Sequence, residues 1–224
     1  MICRDVSIRV SETQSVSGLL AKPARARACY ILAHGAGAGM AHPFMTAIAD
    51  GLAARDVATL RYQFPYMERG TKGPDAPPLA HATVRAAVAT ASQLAPQLVL
   101  VAGGKSFGGR MTSQAQAAEP LPNVHGLAFL GFPLHPAKRP STERAEHLFA
   151  VQIPMLFLQG TRDALAELSL LEPLTGRLGP RTTLQLFPGA DHSFHVAGRE
   201  PDRNTRVQSE LLDALTSWIE RIAV

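Results

Sequence analysis

Three residue types that together activate a hydroxyl lie far apart in this chain of 224 residues: Ser106, Asp163 and His192. Ser106 sits in Gly104-Lys105-Ser106-Phe107-Gly108, a G-x-S-x-G pattern. It comes directly after the apolar run Leu98-Val99-Leu100-Val101-Ala102 and directly before a predicted helix. A serine in that setting occupies a sharp strand-to-helix turn, where crowding calls for flanking glycines and strain lifts the hydroxyl clear of the sheet edge. A hydroxyl is a poor nucleophile until an imidazole takes its proton. That imidazole in turn needs a carboxylate on its other nitrogen, to fix the tautomer and stabilise the imidazolium. Asp163 and His192 each lie a few residues beyond a further predicted strand, in the chain order Ser…Asp…His. Each has a competing reading. The glycines around Ser106 can make a turn without chemistry, and Asp163 can cap a helix beginning near Ala164. His192 can be a solvent-facing loop residue, with His195 as a rival base and Asp191 and Glu167 as rival acids. Placement immediately after a strand, and not within a helix, favours Asp163 and His192.

Acyl chemistry on such a serine also needs two backbone N–H groups aimed at the oxyanion. One is expected from Phe107, the residue after the serine. The other is expected from Ala36 in the loop His34-Gly35-Ala36-Gly37-Ala38-Gly39, whose small residues let the backbone approach a substrate. A phosphate loop is the alternative, but the glycine spacing does not match G-x-G-x-x-G and no G-K-[ST] closes it. His34 is expected to tether the loop. Lys105 is expected to be structural, because a sharp turn directs the neighbours of its serine away from it. His192, His195 and Asp191 lack further ligands at suitable spacing, so no metal site is expected, and no cofactor.

These residues need a scaffold that brings strand ends together. Two short strands at 6–10 and 16–20 are followed by buried strands at 28–33, 57–62, 98–102, 124–130, 155–159 and 182–187. Helices are predicted near 43–54, 79–94, 107–118, from Asp163 to about 178, and 203–222, with one short helix near 142–149. Apolar strands without period-two alternation, interleaved with helices, indicate a largely parallel sheet covered on both faces, in which functional groups gather beyond the carboxyl ends of strands. No internal repeat or low-complexity segment breaks residues 1–224, so a single α/β domain is expected.

Composition narrows the classes further. Hydrophobic residues make up 46% of the chain, enough for a sizeable core, and no run is long enough to span a bilayer. The net charge of +4 comes mainly from scattered arginines, grouped at most as Arg25 with Arg27, Lys138 with Arg139, and Arg199 with Arg203 and Arg206. None is interleaved with aromatics, so a solvated basic surface is expected and not nucleic-acid binding. The first residues lack the apolar stretch of a secretory signal, and the two cysteines, Cys3 and Cys29, read as reduced thiols of a cytoplasmic protein.

Taken together, the motifs resemble the α/β-hydrolase superfamily. His34-Gly35-Ala36-Gly37-Ala38-Gly39-Met40, Phe64-Pro65-Tyr66 and Gly103-Gly104-Lys105-Ser106-Phe107-Gly108-Gly109-Arg110 are similar to a small dienelactone-hydrolase-like branch. That branch includes the hydrolase-like domain of NSL chromatin-complex subunits. The resemblance runs from about Ala28 to the C-terminus and implies an α/β-hydrolase fold, with a mostly parallel twisted sheet, helices on both faces and no large cap domain. It also implies a serine hydrolase with catalytic Ser106, Asp163 and His192. Ala41 departs from the branch, which often carries an acid there, and this leaves the tethering of the glycine-rich loop open.

The connection at 131–151 is too short for a multi-helix lid, so an open site is expected. Its walls are expected from Met40, Phe64, Tyr66, Phe107, Phe132, Leu134 and Phe194, and the long loop 63–78 is the segment able to fold over it. An apolar wall favours short or medium acyl esters or thioesters as small-molecule substrates. A non-catalytic scaffold of the same fold, and acyl transfer or peptidase work on the same residues, are the competing functions.

Overall fold

The computed structural model describes residues 2–71, 73–198 and 201–223, so Arg199 of the third arginine group lies outside the described residues. Eight strands form one sheet: β1 (Ile2–Arg9), β2 (Ser15–Lys22), β3 (Ala28–Ala33), β4 (Val57–Tyr62), β5 (Val99–Lys105), β6 (Val124–Leu130), β7 (Met155–Gly160) and β8 (Thr182–Phe187). Their order across the sheet is β1-β2-β4-β3-β5-β6-β7-β8. The first two strands form an antiparallel pair, and β2 runs antiparallel to β4. From β4 to β8 every neighbouring pair is parallel. The central strands β3, β4 and β7 are buried at every position, which explains their unbroken apolar runs.

Helices α1 (Pro43–Ala53) and α6 (Arg203–Ile222) cover one face; α3 (Pro77–Leu94), α4 (Phe107–Ala118) and α5 (Leu168–Leu178) cover the other, with a short α2 (Pro65–Glu68) near its edge. On α6 the buried positions Val207, Leu211, Leu215 and Trp218 follow the helical repeat and meet Met45, Ile48 and Leu52 of α1 in one cluster. Burial of each such side chain contributes about 1.5–3 kcal/mol. The second cluster, larger and more aromatic, includes Phe64, Tyr66, Phe107, Phe129, Phe132 and Phe157.

Two connections differ from expectation. The helix expected to start beside Asp163 begins at Leu168. Asp163 Oδ1 accepts the Leu165 N–H at 2.8 Å and the buried His135 Nε2 accepts the Glu167 N–H at 3.1 Å, so side chains turn the chain before it becomes helical. The loop at 63–78 does not fold over the serine. Asp75 accepts from Tyr66 N–H at 2.9 Å and pairs with Arg69 at 2.8 Å, while Glu68 accepts from Ser17, fastening the segment beside β2. Residues 131–151 contribute a 3₁₀ stretch, Glu143–Ala150, and no cap domain is inserted among the described residues. No helix among the described residues is long and apolar enough to cross a membrane.

Candidate active site

Ser106 occupies the single residue between β5 and α4, with φ 49° and ψ −114°. An L-residue held at positive φ there is strained by roughly 1–3 kcal/mol, a cost the surrounding packing must offset. The glycines around it are dictated by contact. A Cβ on Gly104 would collide with the Ala33 backbone, and one on Gly108 would lie 2.5 Å from the His34 carbonyl. No side chain fits between β5, β3 and the start of α4.

Two groups from distant strand ends line up behind the hydroxyl. His192 Nε2 lies 2.8 Å from Ser106 Oγ, and His192 Nδ1 lies 2.6 Å from Asp163 Oδ2. An ionised carboxylate only accepts, so Nδ1 carries the proton and Nε2 is left free to accept the serine proton. Asp163 is buried, and its oxygens are fully engaged. Oδ2 also accepts from Gln159 Nε2 at 2.5 Å, and Oδ1 takes the Leu165 N–H. Gln159 in turn accepts the Phe132 N–H at 2.9 Å, tying the carboxylate to the end of β6.

The rivals occupy other positions. Asp191 Oδ1 accepts the Ser193 and His195 N–H groups at 2.8 and 2.9 Å, bending the loop that carries His192. His195 is exposed, and Glu167 stands at the N-terminus of α5. No group of three or more His, Cys, Asp or Glu residues suited to a metal occurs among the described residues.

The glycine-rich loop is fastened from below. His34 Nε2 accepts the Phe64 N–H at 3.0 Å and its Nδ1 donates to the Gly35 carbonyl at 2.8 Å. Accepting at Nε2 requires a neutral ring, and burial holds the imidazole down to about 4, against the pull of the Gly35 carbonyl and Asp75. Tyr66 Oη accepts the Gly37 N–H at 3.2 Å, and Gln63 Oε1 accepts the Met40 N–H at 3.0 Å. Tethering therefore runs through His34, Tyr66 and Gln63, with no acid needed at position 41. Among the described residues, the N–H groups of Ala36 and Phe107 donate to no protein acceptor. Phe107 N–H is the first of α4, where a helix leaves its donors open to an anion.

A cavity of about 400 Å³ opens beside the hydroxyl, lined by Gly35, Ala36, Ala38, His42, Phe44, Met45, Lys105, Leu165, His192 and Ser193. This corrects the expected walls. Phe64, Tyr66, Phe132 and Leu134 are fully buried and do not reach it. Phe64 packs edge-on to His34, Tyr62 and Phe107, while Phe132 packs against Phe129 and Phe157. Phe107 likewise faces the core, and only its backbone borders the site. Met40 is drawn away by its backbone bonds to Gln63 and Arg61 and lines a separate crevice beside β1 and β2. Phe194 lies one layer behind, stacked at 6.1 Å on Phe44. The contributions of Phe44, Met45, Leu165 and Gln159 were missed. The only signal for Phe44 was its place in the first turn of the helix that follows the glycine-rich loop.

A sequence model described as an alpha/beta hydrolase domain matches residues 26–220. Among solved structures, the chain is similar to a dienelactone hydrolase from Anabaena variabilis, at 22% identity and TM-score 0.78, covering 98% of this chain and 97% of that one. It is similar also to an α/β serine hydrolase without a lid from Xanthomonas campestris, at 19% identity and TM-score 0.75, covering 96% and 94%. Est1E from Butyrivibrio proteoclasticus with ferulic acid bound matches at 15% identity and TM-score 0.74, covering 96% and 99%. The eight-stranded sheet, the turn at Ser106 and the match across most of its length place this chain in the α/β-hydrolase domain family.

Proposed function

We propose that the protein is a serine hydrolase that cleaves carboxylic esters or thioesters of small to medium size through an acyl-enzyme on Ser106. The observation that carries this is the Ser106–His192–Asp163 chain, at 2.8 and 2.6 Å, set beside two unpaired backbone N–H groups on an open cavity. In the first half-reaction Ser106 Oγ attacks the carbonyl carbon as its proton passes to His192 Nε2. The tetrahedral oxyanion is received by Ala36 N–H and Phe107 N–H. The imidazolium, oriented by Asp163, then protonates the departing alkoxide or thiolate as the C–O or C–S bond breaks. In the second half, water gives its proton to His192, attacks the acyl carbon and releases the acid with return of the proton to Ser106.

No step of this cycle calls for a metal or cofactor. The resemblance to the NSL branch, a single hydrolase domain over residues 1–224 and a reducing cytoplasmic setting for Cys3 and Cys29 belong to the same reading. A fluorophosphonate probe is expected to label Ser106 in the folded protein, and a p-nitrophenyl acetate assay is expected to show turnover lost in Ser106→Ala. Folded protein that takes no label would point to a scaffold instead.

A further inference from the structure

Lys105 directly precedes the proposed nucleophile, lines the same cavity and reaches the loop that carries His192. Lys105 Nζ donates to the backbone carbonyl of His192 at 2.6 Å. It lies beside the stacked pair of Phe44 and Phe194, whose ring centroids are 6.0 and 5.8 Å from the amine. Gly131 borders the amine as well. A Cβ there would stand 3.0 Å from Lys105 Nζ, 3.3 Å from the His192 carbonyl and 3.4 Å from His192 Nδ1. The bare Cα of Gly131 therefore leaves the room that the amine and imidazole share.

The loop carrying His192 has other ties, but they lie to either side. Asp191 bends the loop on itself, Arg162 N–H reaches Ala190, and Asn204 takes the Val196 N–H. Among the described residues, only Lys105 holds the backbone of His192 itself. We propose that Lys105 is a positioning residue: its ammonium clamps the His192 carbonyl to the end of β5, keeping the imidazole between Ser106 and Asp163. The clamp rests on the reading of Ser106 as nucleophile and His192 as base.

A charged donor suits this task because hydrogen bonds from an ammonium are roughly twice as strong as neutral ones. The titratable groups facing the amine are Asp163, Asp191 and His192, with His42 on the same cavity. Burial pulls the amine down to about 8, against the two carboxylates. Its charge, and with it the stronger form of the clamp, is present below that value and lost as pH rises through it.

The test is kcat and KM for p-nitrophenyl acetate across neutral to alkaline pH, with fluorophosphonate labelling rates, on wild type, Lys105→Met and Lys105→Cys. The Cys variant is measured after aminoethylation with 2-bromoethylamine, and separately after methylthiolation. Wild type treated in the same way controls for Cys3. Lys105→Met is expected to lose about 10²-fold in kcat, the cost of displacing a catalytic group by an ångström, with KM nearly unchanged and no alkaline fall near the wild-type value. Aminoethylation is expected to restore most of the rate, with the alkaline fall moved to lower pH because the thioether makes the amine more acidic; methylthiolation restores none.

An unchanged kcat in folded Lys105→Met, a loss confined to KM, or an alkaline fall that persists without the amine overturns the clamp while leaving the nucleophile reading intact. Should Lys105→Met not fold, the two modified forms of Lys105→Cys decide by the same criteria. A wild type that takes no label overturns the nucleophile reading, and the clamp with it.

Discussion

Two groups of aromatic rings flank Ser106 and serve different ends. On one side His34, Phe64, Tyr66 and Phe107 meet edge-on at 5.0 to 6.4 Å, all buried, with no opening to the cavity. On the other, Phe44 lies nearly parallel to Phe194, with 8° between the planes, and borders the cavity while the Lys105 ammonium rests against both. The sealed group holds backbone: it fixes the glycine-rich loop and leaves its Ala36 N–H unpaired. The open group offers surface. An aromatic residue packed close to the Ser106 turn is therefore not by that fact a wall of the site; what matters is whether the backbone beside it needs a partner.

The sharpest break in this comparison lies between the hydroxyl–imidazole–carboxylate chain and everything around it. Ser106→Ala is expected to abolish acyl-enzyme formation, with its circular dichroism unchanged. His192→Ala should be nearly as damaging, and Asp163→Asn should lower turnover by about 10³–10⁴-fold. A mild His192→Ala beside a crippling His195→Ala would reassign the base.

Between the two ring groups, truncation should separate stability from binding. Phe64→Ala empties a fully buried site and should cost about 3–5 kcal/mol in urea unfolding. Phe44→Ala should leave the urea midpoint nearer wild type and act mainly on KM. Equal losses of stability in the two variants would erase the distinction between sealed and open sides.

The sealed side also carries an acid sensitivity. His34 is held at about 4 when folded, against about 6.5 for a free imidazole, so between these values the unfolded chain binds more protons. Stability from neutral His34 is present above the unfolded value and is lost as pH falls towards 4, by on the order of 3 kcal/mol. Urea titrations of wild type and His34→Gln over this range should show a steeper acid loss in wild type; parallel curves would place the sensitivity elsewhere.

The smallest effect concerns the open side. The cavity is about 400 Å³ and the 63–78 loop is fastened away from it, so each added methylene gains about 0.8 kcal/mol only for the first few carbons. A p-nitrophenyl ester panel from acetyl to palmitoyl should peak at short chains, and a clear palmitoyl preference would mean that a wall forms in solution.

Most strand and helix positions were legible because buried parallel strands write themselves as apolar runs; β4, β6 and β8 begin and end where expected. The convergence of Ser106, Asp163 and His192 was legible for the same reason, since each follows such a run. Side-chain destinations were not. Phe64 and Tyr66 turn inward because His34 and the Gly37 N–H need partners there, a demand made by a loop some thirty positions away. Gln159 is the last side chain before the β7 turn, and nothing local says that it will face Asp163. Lys105 read as structural, and only the folded loop after β8 reveals what its amine holds.

The bond between Ser106 and His192 spans 86 positions of chain. Its last contributor lies beyond β8, the final strand and one edge of the sheet. During synthesis Ser106 therefore leaves the ribosome well before His192, and contacts of such long sequence separation close late, after their loop entropy has been met. Under the proposed mechanism the nascent protein carries an inert hydroxyl, which becomes reactive only when the edge strand docks.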